Sequence, residues 1–258
     1  MIAPLTIARQ ELRHHFRDTR SLASNLLYAS MGPGVVLLVS FSTAGQSSRR
    51  AALLLSMASV FALVTAASGG MNLAMDAMAG ERERRSLVPL LLTPVSRLNL
   101  VVGKWMAVSA LGLTALSLTI AGFLAVVLWR APVGWIVLAQ LGVWVLLGLI
   151  PLALSGAAVD LWLAAHSRTT QEAHGWLSIA VFVPMLAGML LVFFPGWIGN
   201  WWFVAPIIGQ QALVTRTLAG EPTSLLQAIV LATVTLAALV PALIATRRAL
   251  EKDDVLAG

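Results

Sequence analysis

The chain has 258 residues, 59% of them hydrophobic and only 11% charged, and its mean hydropathy is +0.87. A soluble domain carries about 25% charged residues, so this composition excludes a water-covered globule, a disordered chain and a coiled coil. Cysteine is absent, which removes disulfides and thiolate sites, and a formal charge of +6 in so apolar a chain belongs beside anionic lipid, not on nucleic acid.

Residues 1–20 predict an amphipathic helix lying in the cytoplasmic membrane surface. Leu5, Ala8, Leu12 and Phe16 fall near one face, and Arg9, Arg13 and Arg17 recur every fourth residue on another, with Glu11 among them. Four arginines and two acids precede the first apolar run, unlike the short basic start of a cleaved signal.

A helical span needs about 20 mostly apolar residues. Six segments qualify, at 21–43, 51–75, 100–128, 133–159, 176–194 and 225–246. They make one transmembrane domain over 21–246, followed by a tail at 247–258. Thirteen of the 17 basic residues then fall on one side, and the positive-inside rule puts both termini in the cytoplasm. The expected fold is all-α and polytopic. No inverted repeat relates the first three spans to the last three, which argues against a secondary transporter.

Span two carries Ala58, Ala62, Ala66, Gly70 and Ala74 every fourth residue, a spacing that lets helices approach closely. Beside that stripe stand Thr65, Ser68, Asn72 and Asp76. Hydrogen bonds to neighbouring helices are the expectation for Thr65 and Ser68; for Asn72 packing and a transport pathway stay equal. Asp76 and Asp160 sit near cytoplasmic helix ends and are expected to reach water.

The loop at 80–100 is the most charged stretch, yet it holds the apolar cluster Leu87, Val88, Leu90, Leu91 and Leu92, broken by Pro89 and Pro94. Such a patch suits docking into a groove on a soluble partner; a short helix resting on lipid is the equal alternative. The segment at 195–224 is too apolar for a free external loop and is punctuated by Pro195, Gly196, Pro206 and Gly209. Two short re-entrant or interfacial helices fit it, with Trp197, Trp201 and Trp202 suited to the headgroup belt.

Enzyme chemistry finds little support. Gly103–Lys104 lacks the first glycine and the following Ser/Thr of a phosphate loop. Ser155 in Ala153–Gly156 has no base at its depth, because His14, His15, His166 and His174 all lie in cytoplasmic segments. His166, Glu172 and His174 make at most a weak metal cluster, and a solvated loop is the default.

The run Asp76–Leu87, then Pro89–Arg97 and Gly103–Lys104, resembles the type-2 ABC-transporter permease family, whose members show E-R-E-x-G-T/S-L-E-x-L-L-x-T-P-V/I-S-R followed by G-K. The match departs at Arg85, where glycine is usual, and at Val88, where glutamate is usual. It is most similar to bacterial sodium-exporter and multidrug-exporter permeases, without their large external domain after span one. The resemblance implies a coupling loop for an ATPase, formed by Glu81, Arg82, Glu83, Arg84, Leu87, Leu90, Leu91 and Pro94. It implies a connecting helix bearing Arg9, Glu11, Arg13 and Arg17, and an external gate at Pro195, Trp197, Trp201, Trp202 and Pro206. Thr65, Ser68, Gly70 and Asn72 become pathway or packing positions. By the same resemblance the chain is the permease subunit of an ATP-driven exporter in the bacterial cytoplasmic membrane. It pairs with a second copy or a related permease and with cytosolic ATPase subunits that hold ATP and Mg; no cofactor or metal is expected on this chain. An intramembrane enzyme and a stand-alone secondary transporter are the alternatives.

Overall fold

The computed structural model describes residues 3–17, 19–42, 48–84, 86, 95–130, 135–194, 199, 201–218 and 223–257. Within them every regular element is helical. Helix α1 (Ala3–Arg17) precedes α2 (Thr19–Ser42). Helix α3 (Ser48–Ser68) continues through α4 (Met71–Met75), a π-turn (Asp76–Gly80) and α5 (Glu81–Glu83). Helix α6 (Arg97–Arg130) is the longest. Helix α7 (Trp135–Trp144) passes through a second π-turn (Val145–Leu149) into α8 (Ile150–His166), and α9 (Thr170–Phe193) follows. A 3₁₀ turn (Trp202–Val204) and α10 (Ile208–Leu218) lead to α11 (Leu225–Ala237) and α12 (Leu239–Ala257).

Five stretches are long and apolar enough to cross a membrane: Met57–Glu83, Arg97–Val126, Ala139–His166, Thr170–Phe193 and Leu225–Glu251. The expected first span coincides with α2, whose described apolar part is Ala29–Leu38, so the structure is compatible with six. Trp176, Ile179, Phe182, Leu186 and Phe193 of α9 are exposed, a surface suited to hydrocarbon and not to water.

Proline marks two of the helices. Pro33 lies inside α2, which runs on through it, and its missing N–H frees the carbonyl four residues earlier. That carbonyl, on Ala29, accepts from Thr119 Oγ1 of α6 at 3.0 Å, so the neighbouring helix satisfies what proline released. Pro241 cannot donate back to residue 237, and α11 gives way to α12 at Ala238.

The small-residue stripe of span two packs as its spacing implies. Ala58, Ala62, Ala66 and Ala74 are buried. A Cβ on Gly70 would lie 2.5 Å from the Val108 carbonyl oxygen of α6, and one on Gly156 of α8 would lie 2.4 Å from that of Ala67. These backbones approach so closely that no side chain fits between them. The core has two layers. One gathers Leu63, Leu116, Trp144, Leu149, Trp202 and Leu231; the other, toward the charged ends, gathers Leu73, Met78, Val101, Val108, Leu161 and Leu250.

Candidate functional site

The charged end of the bundle is organised around Glu81–Arg82–Glu83, and each side chain secures a different helix. Glu81 Oε1 lies 2.6 Å from Lys104 Nζ of α6. Lys104 is fully buried and its ammonium also lies 2.5 Å from Glu11 Oε1 of α1. A buried ammonium needs compensating charge, and two carboxylates from two other elements supply it. Arg82 donates through Nη2 to the Ala165 carbonyl at 2.9 Å and through Nη1 to the Ser167 carbonyl. It thereby satisfies carbonyls that the end of α8 leaves without helical partners, with a cation at the favourable pole. Glu83 Oε2 accepts from the Thr170 amide at 3.1 Å and from Thr170 Oγ1 at 2.8 Å, placing an anion on the first turn of α9.

Gly103 completes the arrangement. A Cβ there would stand 2.8 Å from Ile7 Cβ and 2.9 Å from the Pro4 carbonyl oxygen, so glycine lets α1 lie directly on α6. The Gly-Lys pair thus has two physical tasks: close approach of α1, and the charge that holds it. Trp105 adds a third tie, its Nε1 donating to the Leu154 carbonyl of α8 at 3.0 Å. Ile7, Ala8 and Leu12 pack into this layer, whereas Leu5 and Phe16 are exposed. Half of the predicted apolar face of α1 is therefore spent on α6. Arg9 and Arg13 are exposed, and Arg17 belongs to the same helix. A cavity of about 280 Å³ bounded by Glu11, His14, Asp76, Glu81 and Arg84 separates α1 from the end of span two.

Of the predicted coupling residues, Leu87, Leu90, Leu91 and Pro94 lie outside the described residues. Arg84 is exposed. Glu81, Arg82 and Glu83 are turned onto their own chain, so these three brace the stem of the loop.

At the opposite end, Pro195 and Trp197 lie outside the described residues, while Trp201 and Pro206 are exposed. Trp202 departs from the headgroup expectation: it is 1% exposed, edge-on to Phe203, with the Arg216 guanidinium 5.7 Å from its ring centre. The chain turns inward here, and the indole fills the core beneath the turn. Helix α10 lies in the segment expected to be re-entrant and packs against α3, α7 and α9. Its buried amides pair with neutral groups, except for Gln211 Oε1, which has no partner among the described residues. Gln210 Nε2 donates to Thr235 Oγ1 at 2.8 Å, and Gln210 Oε1 accepts from the Ile207 amide. Gln211 Nε2 donates to Ser59 Oγ at 2.8 Å, and Trp144 Nε1 donates to the Gln210 carbonyl at 3.1 Å.

Three polar residues differ from expectation in a way composition could not show. Thr65 Oγ1 and Ser68 Oγ donate to Phe61 and Val64, four residues back in their own helix, and do not bridge helices. Asp160 does not reach water: it is 3% exposed, covered by neighbouring helices despite its place near a helix end. Asp76 and Asn72 are half-buried. Ser155 donates to the Pro151 carbonyl at 2.9 Å. His166 and His174 contact atoms four residues away in their own helix, and Glu172 accepts from the Arg168 amide. Gln210 and Gln211 were not singled out by sequence reasoning, and Lys104 only as part of the Gly103–Lys104 motif with no partner assigned; the available signal was a strong polar side chain inside an apolar run.

The family model for "ABC-2 family transporter protein" matches residues 5–255. The chain is also 34% identical over 176 residues to the "ABC transporter permease protein NatB" of Bacillus subtilis (strain 168). That alignment takes in 64% of this chain and 45% of the relative, so the match spans less than half of the relative's length. With its apolar helical bundle and this match over nearly its whole length, the chain is a multi-pass membrane protein that belongs to the ABC-2 family of transporter proteins.

Proposed function

We propose that this chain is the permease subunit of an ATP-driven exporter, working as a pair of permeases with two cytosolic ATPase subunits that carry ATP and Mg. The bacterial cytoplasmic membrane, with both termini inside, is the setting that the distribution of arginine and lysine favours.

The observation that carries this reading is the brace around Lys104. One buried ammonium holds Glu11 of α1 and Glu81 at the end of span two, while Arg82 and Glu83 hold the adjoining ends of α8 and α9. A push on the segment at 84–97 therefore reaches four helices through short links. That is what a mechanical input from a separate motor requires. A ligand shifts a conformational equilibrium only through contacts that differ between the two states, and here α1 and the loop would make them.

Purification from native membranes in mild detergent tests the reading. The expected result is a co-purifying ATPase with phosphate-loop and signature motifs, and nucleotide-dependent transport after reconstitution. Charge reversal at Arg82 is expected to abolish transport while ATP hydrolysis continues. Solute movement by the chain alone, driven by an ion gradient and indifferent to ATP, would overturn the proposal.

A further inference from the structure

Asp160 lies six residues before the end of α8, about 9 Å inside it at 1.5 Å per residue. Its Oδ2 has no hydrogen-bond partner among the described residues. A carboxylate taken from water without a partner is among the least favourable arrangements in a fold. This one borders a cavity of about 220 Å³ running along α8 beneath the re-entrant turn, walled by Ser68, Ser155, Ala180, Pro184, Ile207 and Thr235.

The hydroxyl groups of this cavity have already committed their protons. Ser68 donates to the Val64 carbonyl, Ser155 to Pro151 and Thr235 to Leu231. What they present to the cavity is oxygen lone pairs, one of Thr235's being already taken by Gln210 Nε2, beside a carboxyl group that is acceptor-only when ionised. Among the described residues no lysine, arginine or histidine lines the space. The described wall therefore lacks a positive charge that would hold Asp160 in its ionised form. The rest of the described wall is apolar, which suits a cation that carries an apolar body better than a bare metal ion. One wall is Ile207, a β-branched residue held at φ 72° with its amide on Gln210 Oε1. Such backbone strain clusters at ligand clamps.

We propose that this cavity binds an organic monocation: an ammonium group bearing N–H donors, seated on Asp160, with a compact apolar body against Ala180 and Pro184. An apolar cavity of about 150 Å³ holds a benzene ring, so this volume suits a ring with a short aminoalkyl chain. That such a molecule is cargo rests on the transport reading above; its binding does not.

The test is calorimetry on the full chain in nanodiscs free of anionic lipid, with 2-phenylethylammonium and its neutral analogue 2-phenylethanol as probes. The cation binds tighter by about ten- to a hundredfold, the usual worth of a charged hydrogen bond. Asp160→Asn removes that preference, and Ala180→Phe, which fills the apolar wall, weakens both probes. Equal affinity for the two probes, no saturable binding, a preference that survives Asp160→Asn, or saturable displacement by sodium against a potassium background would each overturn the site. Absence of a co-purifying ATPase would overturn the transport reading while leaving these affinities as they are.

Discussion

The two ends of the bundle solve the same problem with different chemistry. Each must tie an interrupted piece of backbone to the helices around it. At the charged end the ties are ions: Lys104 between Glu11 and Glu81, Arg82 on the end of α8, Glu83 on the start of α9. At the re-entrant end they are neutral: Gln210 with Thr235, Gln211 with Ser59, Trp144 with a backbone carbonyl. Glu11 and Glu81 keep 17% and 22% of their side-chain surface exposed, so water still shares part of their charge. Gln210 and Gln211 are fully buried, where a charge would cost far more than an amide. Lys104 is as buried as the two glutamines, so what separates the ends is the water that its carboxylate partners still reach.

Lys104→Met breaks the comparison hardest. It leaves two carboxylates facing each other without their cation, and loss of one partner of a buried pair costs about 3–5 kcal/mol. Thermal unfolding in detergent is expected to show the largest drop of any single substitution at this end. The double variant Lys104→Met with Glu81→Gln should recover part of it. Next comes Gln210→Leu, which strips a partner from Thr235 and from the Ile207 amide. An orphaned buried polar group costs about 1–3 kcal/mol, so the midpoint should fall less, and by the same amount at low and high salt. The smallest effect belongs to Glu83→Ala. It is exposed, and its loss should speed hydrogen exchange at the first amides of α9 without a large change in midpoint. If Gln210→Leu proved salt-sensitive, or Lys104→Met mild, charge against neutrality would not be what sorts the two ends.

Local pattern made part of this legible. The four-residue stripe in span two is a property of neighbouring residues, and its burial followed. That the segment after α9 folds into short helical pieces was readable from proline and glycine in an apolar run. The brace was not. Glu81 meets a lysine 23 residues away, Glu11 meets the same lysine from 93 residues away, and Arg82 reaches carbonyls more than 80 residues on. No spacing in a single sequence reveals such pairings; the resemblance marked these residues without indicating what they touch. Trp202 and Asp160 misled for a related reason. Position near a helix end says how far a residue lies from water along the chain, and nothing of what covers it sideways.

The π-turn at Asp76–Gly80 sets the angular phase of everything beyond it. A π-turn holds one residue more than the α-helical turn it replaces, and each residue of an α-helix advances about 100° at 3.6 per turn. Removing one residue there would restore an even helix and rotate Glu81, Arg82 and Glu83 together by roughly a quarter-turn. Glu81 would swing off Lys104, Arg82 off the end of α8, and Glu83 off Thr170. The extra residue thus acts as a timing mark, keeping three side chains in step with three helices that follow much later in the chain.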